Sequence, residues 1–212
     1  SSSLSSGFPM NVIPSPSGAV ITSPDAPAAA ILAAAHMLLP RLERGWPIDT
    51  GHLRGAMETA FRASDATGAW DWKDAHEAGE VATILFLQKF GRALFRKASS
   101  PAVRLAALEK ISALLPSHTR RSEESRALQQ FSTPIPLGLA AVTAAAIGPN
   151  DVVLEPSAGT GLLAVLVEIA GGRLLLNELA ETRADLLASL FPSARVTRFD
   201  AAQIDDHLGP DA

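Results

Sequence analysis

Three acids, each standing at the end of a short apolar run, are the residues in this sequence best placed to do chemistry. Glu155 closes Asp151-Val-Val-Leu-Glu155, after which Pro156, Ser157 and Ala158 lead into Gly159-Thr160-Gly161. Glu178 closes Arg173-Leu-Leu-Leu-Asn177-Glu178, seventeen residues beyond Gly161. Asp200 closes Val196-Thr-Arg-Phe-Asp200, with Ala201 directly behind it. Runs of this length read as buried strands. Glycines in the turn admit positive φ and let a ligand approach the backbone. The helix-patterned segment from Leu162 to Ala170 then offers unpaired N–H groups at the same spot. Strand, glycine turn and helix start follow in the order of a nucleotide-binding βα unit.

Glu155 decides which nucleotide is expected. Gly159-x-Gly161-x-x-Ala164 also fits a dinucleotide fingerprint, so the glycines alone do not discriminate. A dinucleotide site must accept a pyrophosphate at this turn, and a carboxylate beside it opposes each phosphate charge by about 4 kcal/mol at an effective dielectric near 20. The same carboxylate suits a ligand with an ammonium, a sulfonium and no phosphate, which describes S-adenosylmethionine. On this reading Glu178 accepts hydrogen bonds from ribose hydroxyls and Asp200 from the adenine amino group. The plain alternative is an ordinary βα turn with Glu155 facing solvent. An NAD-linked oxidoreductase half is opposed by Glu155 and by the want of a hydride-handling His or Tyr, the chain having no Tyr at all.

Longer stretches carry a family resemblance. Leu154-Glu-Pro-Ser-Ala-Gly-Thr-Gly161, preceded by Phe131-Ser-Thr-Pro134, resembles the cofactor-binding half of the adenine-N6 DNA methyltransferases. From about Gly68 onward the chain is similar to the N-terminal methylase region of bacterial strawberry-notch-like proteins, where such a region precedes a helicase. The matching segments are Gly68-Ala-Trp-Asp-Trp-Lys-Asp-Ala75, Pro116-Ser-His-Thr-Arg-Arg-Ser-Glu-Glu124, Gln129-Gln-Phe-Ser-Thr-Pro-Ile-Pro-Leu137 and Leu176-Asn-Glu-Leu-Ala-Glu-Thr-Arg183. The resemblance implies a class I S-adenosylmethionine-dependent fold, methyl transfer to a flipped adenine, and a helicase portion of the same polypeptide and DNA as partners. It implies a cofactor site made of Thr133, Glu155, Pro156, Ser157, Ala158, Gly159, Thr160, Gly161, Asn177, Glu178, Asp200 and Ala201. Thr133 would meet the methionine carboxylate, although on composition alone it reads as an N-cap with proline at the first helical position. The family's catalytic Asn-Pro-Pro-aromatic motif, due after a fourth strand, does not occur in the sequence. No catalytic residue is therefore expected in this chain, and it is expected to be inactive alone. The rival expectation is a non-catalytic module that docks DNA or the helicase with a degenerate Rossmann half.

These residues need elements to hold them. Nearly half of the 212 residues are apolar, with Ala and Leu prominent, which favours helices. Residues 1–24 are rich in Ser, Pro and Gly and read as a flexible arm. A helical lobe is expected over 25–130: Ala26 to Arg44, bent or broken near Pro40; Asp49 or Thr50 to about Ala63; Asp71 to about Ala98; and Ser100-Pro101 to Leu115. A short helix or turn is expected from Ser122. In the third helix Trp72, Ala75, Ala82, Leu85, Phe86, Phe90 and Leu94 recur at helical spacing, and Trp70 and Trp72 read as core anchors. Over 131–212 the pattern after a helix from Leu137 to Ile147 is βαβαβ. The expected fold class is thus α/β: a helical lobe followed by the first half of a Rossmann-like methyltransferase sheet, stopping before strand four. Val152–Leu154 would then offer an unpaired edge, covered by a second copy of the chain in a homodimer, by the arm, or by a remainder of the polypeptide.

Charge and composition narrow the partners. The net charge is −4. Up to Gln130 fourteen Lys and Arg stand against twelve acids; from Phe131 onward four stand against ten. A nucleic-acid footprint is therefore sought in the helical lobe, where Lys89, Arg92 and Arg96 share one helix face and Arg120-Arg121 lie in a later loop. The plainer reading of both is a solvated or ion-paired surface. No run is long and apolar enough for a membrane span, no secretory signal is read, and the lack of Cys accords with a cytoplasmic protein without disulfides or thiolate metal sites. No metal site is expected from the histidines.

Overall fold

The computed structural model describes residues 26–98, 100–116 and 132–207. The arm over 1–24, the turn expected from Ser122 and the Arg120-Arg121 pair lie outside them. Helix α1 (Ala26–Glu43) runs through Pro40, so the expected bend or break is not a break. Pro40 removes only a bond to the His36 carbonyl, and both residues are exposed, so the freed carbonyl lies on the solvent side and the last turn persists. Helix α2 (Thr50–Phe61) starts at Asp49, whose side chain accepts the His52 N–H while His52 reaches back. The same reciprocal cap at Asp71 and Asp74 opens α3 (Trp72–Lys97). Ser100 accepts the Val103 N–H to start α4 (Pro101–Ser112), which ends one turn earlier than expected.

Helix α5 (Ile135–Ala144) begins two residues earlier than the prolines suggest. Its N-cap is Pro134, without a side-chain cap bond, so Thr133 is not the cap. There follow β1 (Val152–Glu155), α6 (Leu162–Ala170), β2 (Arg173–Asn177), α7 (Glu181–Leu190), β3 (Arg195–Thr197) and a 3-10 segment (Ala201–His207). The strands form one parallel sheet in the order β1-β2-β3, with Glu155 in register with Leu176 and Asn177 with Thr197. The molecule is thus mixed α/β, mostly helical, around a small parallel sheet.

Helical lobe and sheet share one hydrophobic core. Helix α3 packs on α1 and α6, and α1 also reaches α7. Gly91 of α3 lies against the Ile169 side chain of α6, whose end occupies the space a Cβ would need. Trp70 is buried and donates its indole N–H to the Ala63 carbonyl at 2.8 Å, with Trp72 edge-on at 6.0 Å. Among the described residues β1 pairs only with β2, and Val152 is 45% exposed. The arm, one of the three covers expected for that edge, lies outside the described residues. No described helix is long and apolar enough to cross a membrane.

Candidate functional site

The glycine turn sits at the carboxyl end of β1 and is pinned from both sides. Ala158 N–H donates to the Asn177 carbonyl at 2.9 Å, and the Gly159 N–H donates to Glu178 Oε2 at 2.9 Å. Gly159 takes φ +59 and Gly161 φ +100, both left-handed conformations that favour glycine. Their surroundings differ. A Cβ on Gly161 would lie 2.5 Å from Phe191 Cε2, whereas one on Gly159 would meet nothing within 4 Å. Gly161 is therefore a packing glycine against α7, and Gly159 faces the open side of the turn. Helix α6 starts at Gly161 with no side-chain cap, so its first N–H groups receive no capping acceptor from Gly161. Pro156 and Ser157 are exposed at the turn's entrance.

The acids divide into three situations. Glu155 ends β1 half-buried, and its Oε2 is buried without a hydrogen-bond partner. Burial, reinforced by the nearby Glu178 charge, pushes its carboxyl up to about 8. Glu178, one residue past β2, is buried with both oxygens engaged: Oε2 by Gly159 and Oε1 by the Ala180 N–H at 2.9 Å. Asp200 departs from expectation. Strand β3 ends at Thr197, so Asp200 is an exposed residue of the next turn, where its Oδ1 accepts the Ala202 N–H at 3.0 Å. Ala201 begins the 3-10 segment.

Asn177 explains the early end of β3. It is 1% exposed, and its amide donates to the Pro156 and Phe199 carbonyls, each at 2.9 Å. Its Oδ1 accepts from Thr197 Oγ1 at 2.9 Å and from the Phe199 N–H at 2.8 Å. Two donors and two acceptor sites are all committed, so this side chain ties the three strand ends together and has nothing left for a ligand.

Two further acids of the helical lobe face the second half of the chain, and one of them, Glu80, reaches the turn. Thr160 Oγ1 donates to Glu80 Oε2 at 2.7 Å, and Ser132 also hydrogen-bonds the Glu80 carboxylate. One turn earlier in α3, Glu77 Oε1 receives Arg183 Nε at 2.6 Å in a buried pair, with Lys73 at 3.9 Å. Burial raises the Glu80 carboxyl, against the lowering by Ser132, Thr160 and Arg183. The sequence held only a faint sign of these residues: two acids three apart within Ala75, Ala78, Gly79 and Ala82, small residues that let another segment come close. Glu80 also lines a cavity of about 270 Å³ with Thr83, Leu115, Thr133, Ile135 and Leu162. Thr133, itself exposed, is thereby brought beside the residue that holds the glycine turn.

The expected cationic face is largely occupied within the chain. Lys89 Nζ contacts Glu43 Oε1 at 2.6 Å, and Arg92 Nη2 donates to the Glu168 carbonyl at 3.3 Å near the end of α6. Arg96 is exposed. No group of three or more His, Asp or Glu among the described residues is arranged to hold a metal ion. In comparisons with protein-family models, with curated proteins and with solved structures, the chain matches none.

Proposed function

We propose that the open side of the Gly159–Gly161 turn binds S-adenosylmethionine, and that the sheet is the first half of a Rossmann-like methyltransferase domain. One observation carries this reading: Glu155 ends its strand beside the turn with a buried carboxylate oxygen that has no partner. Such an atom is costly to leave alone, and a ligand ammonium would satisfy it. The residues fit the group in two further respects. Gly159 leaves free the space that a Cβ would fill, and Glu178, held by two N–H groups, keeps a second lone pair on each oxygen for hydroxyl donors.

In this reading Glu155 orients the ammonium, Glu178 receives the ribose and Thr133 lies toward the methionine carboxylate. Asp200 sits in a turn beyond the sheet and would meet the adenine ring only from there. Asn177 acts by holding the strand ends. The bound cofactor supplies an electrophilic methyl group. DNA adenine-N6 as the acceptor, and a helicase portion as neighbour, rest on the sequence resemblance alone, since Lys89 and Arg92 are engaged within the chain. The 212 residues contain no Asn-Pro-Pro-aromatic segment, so the activity proposed for them is cofactor binding.

Calorimetry on the whole chain tests this. S-adenosylmethionine is expected to bind, NAD is not, and Glu155→Ala is expected to weaken binding at least tenfold, equivalent to about 1.4 kcal/mol. Equal binding of NAD, or an unaffected Glu155→Ala variant, would overturn the assignment.

A further inference from the structure

The contact between the helical lobe and the glycine turn is polar, partly buried and specific, which ordinary core packing does not require. Glu80 of α3 accepts Thr160 Oγ1 at 2.7 Å across eighty residues of sequence. Thr160 lies between the two left-handed glycines and is 3% exposed. The same carboxylate takes a hydrogen bond from Ser132, beside Thr133 and Pro134 at the entry to α5. A single side chain from the helical lobe therefore joins the glycine turn to the Ser132–Pro134 segment, the two stretches that flank the proposed cofactor position. Among the described residues no close ion pair is made by Glu80; Arg183, in direct contact with Glu77, acts on it only at longer range. A largely buried acid with only a distant cation is unfavourable for stability, and nothing in apolar packing compensates it.

We infer that Glu80 is a positioning residue of the glycine turn: through Thr160 and Ser132 it fixes the conformation in which the turn receives its ligand. The helical lobe is thereby part of the binding site. This rests on the ligand reading above, but its physical content, that Glu80 immobilises Thr160, stands apart from the identity of the ligand. Gln at this position can accept from Thr160 and donate to Ser132, whereas Ala can do neither. The role accordingly predicts rescue by Gln.

Two measurements on the full chain decide it. The first is S-adenosylmethionine affinity in Glu80→Gln, Glu80→Ala, Thr160→Val and the Glu80→Ala/Thr160→Val double variant. Glu80→Ala and Thr160→Val are each expected to weaken binding roughly tenfold, the double variant no more than either single, and Glu80→Gln less than about threefold. Losses that multiply in the double variant, or wild-type affinity in Glu80→Ala, overturn the inference. The second is hydrogen exchange of the turn in the ligand-free chain, compared with exchange in α1. Faster exchange confined to the turn in Glu80→Ala and restored in Glu80→Gln supports it; unchanged exchange, or exchange raised equally in α1, overturns it. Should the wild-type chain not bind S-adenosylmethionine, the ligand reading fails and the exchange measurement alone decides the role of Glu80.

Discussion

Glu178 Oε2 accepts the Gly159 N–H at 2.9 Å, and its other oxygen accepts the Ala180 N–H at the same distance. One buried carboxylate thus fixes the glycine turn and the entry to α7 together. Alanine at 178 would strand both donors. Glutamine would satisfy one and turn its NH2 toward the other. Each substitution is expected to lower unfolding free energy by about 1–3 kcal/mol, the cost of an unsatisfied buried group, with an unchanged denaturant slope. A urea midpoint equal to that of the unaltered chain would show that the turn is held by other means.

The raised Glu155 carboxyl gives ligand binding a sign that separates the candidate ligands. With the group at about 8, the free chain is mostly protonated there at neutral pH. A cation binds the ionised form, so affinity for S-adenosylmethionine should rise with pH below about 8, by at most about tenfold per unit, and flatten above it. Binding at pH 7 should release protons to the buffer. A phosphate-bearing ligand favours the protonated form and would show the opposite slope. Stability follows the same linkage: the folded value lies above the unfolded 4.5, so the contribution is full below 4.5 and is lost as pH rises through about 8. Glu155→Gln should flatten the affinity profile and be more stable than the unaltered chain at pH 9, measured by calorimetry and urea titration.

Much of this arrangement was legible in the chain because its causes are local. Asp49, Asp71 and Ser100 announce helix starts through caps made within three residues. The apolar runs ending at Glu155 and Asn177 have strand length, and the glycines between them need positive φ. Asp200 was misplaced because the competing bonds are distant. Asn177 takes both the N–H and the carbonyl of Phe199, satisfying the backbone that would otherwise have continued the ladder. Glu77 and Glu80 escaped for the same reason. Helical periodicity identifies a buried face, but partners 106 and 80 residues away leave no periodic trace.

Gly159 and Gly161 should fail in different ways when replaced by alanine. At Gly161 a Cβ collides with Phe191 at 2.5 Å and with Leu187 at 3.0 Å, in addition to φ +100. Destabilisation of about 3 kcal/mol or more is expected, from overpacking and backbone strain together. At Gly159 the space is open and only the left-handed backbone penalty of about 1–2 kcal/mol applies. Its Cβ would instead occupy the ligand's approach. Gly159→Ala should therefore fold with a modestly reduced Tm and lose most S-adenosylmethionine binding. A folded Gly159→Ala chain that binds normally would place the ligand elsewhere.

The Glu77–Arg183 pair invites an asymmetric prediction. The two side chains are 4% and 7% exposed and 2.6 Å apart, and Lys73 stands 3.9 Å from the same Glu77 oxygen. Arg183 also feels the charges of Glu178 and Glu80. Removing Glu77 as Gln leaves Arg183 near two other acids, so its charge keeps partners. Removing Arg183 as Met takes away the cation whose field Glu77, Glu80 and Glu178 share. Arg183→Met should therefore cost about 3–5 kcal/mol, the range for an uncompensated buried charge, and Glu77→Gln clearly less. In the Glu77→Met/Arg183→Met double variant the loss should be smaller than for Arg183→Met alone, because one stranded acid is removed with its partner. Urea unfolding of the three variants checks the order. A larger loss for Glu77→Gln than for Arg183→Met would mean that Arg183 serves Glu77 alone and does not neutralise the acids gathered under the glycine turn.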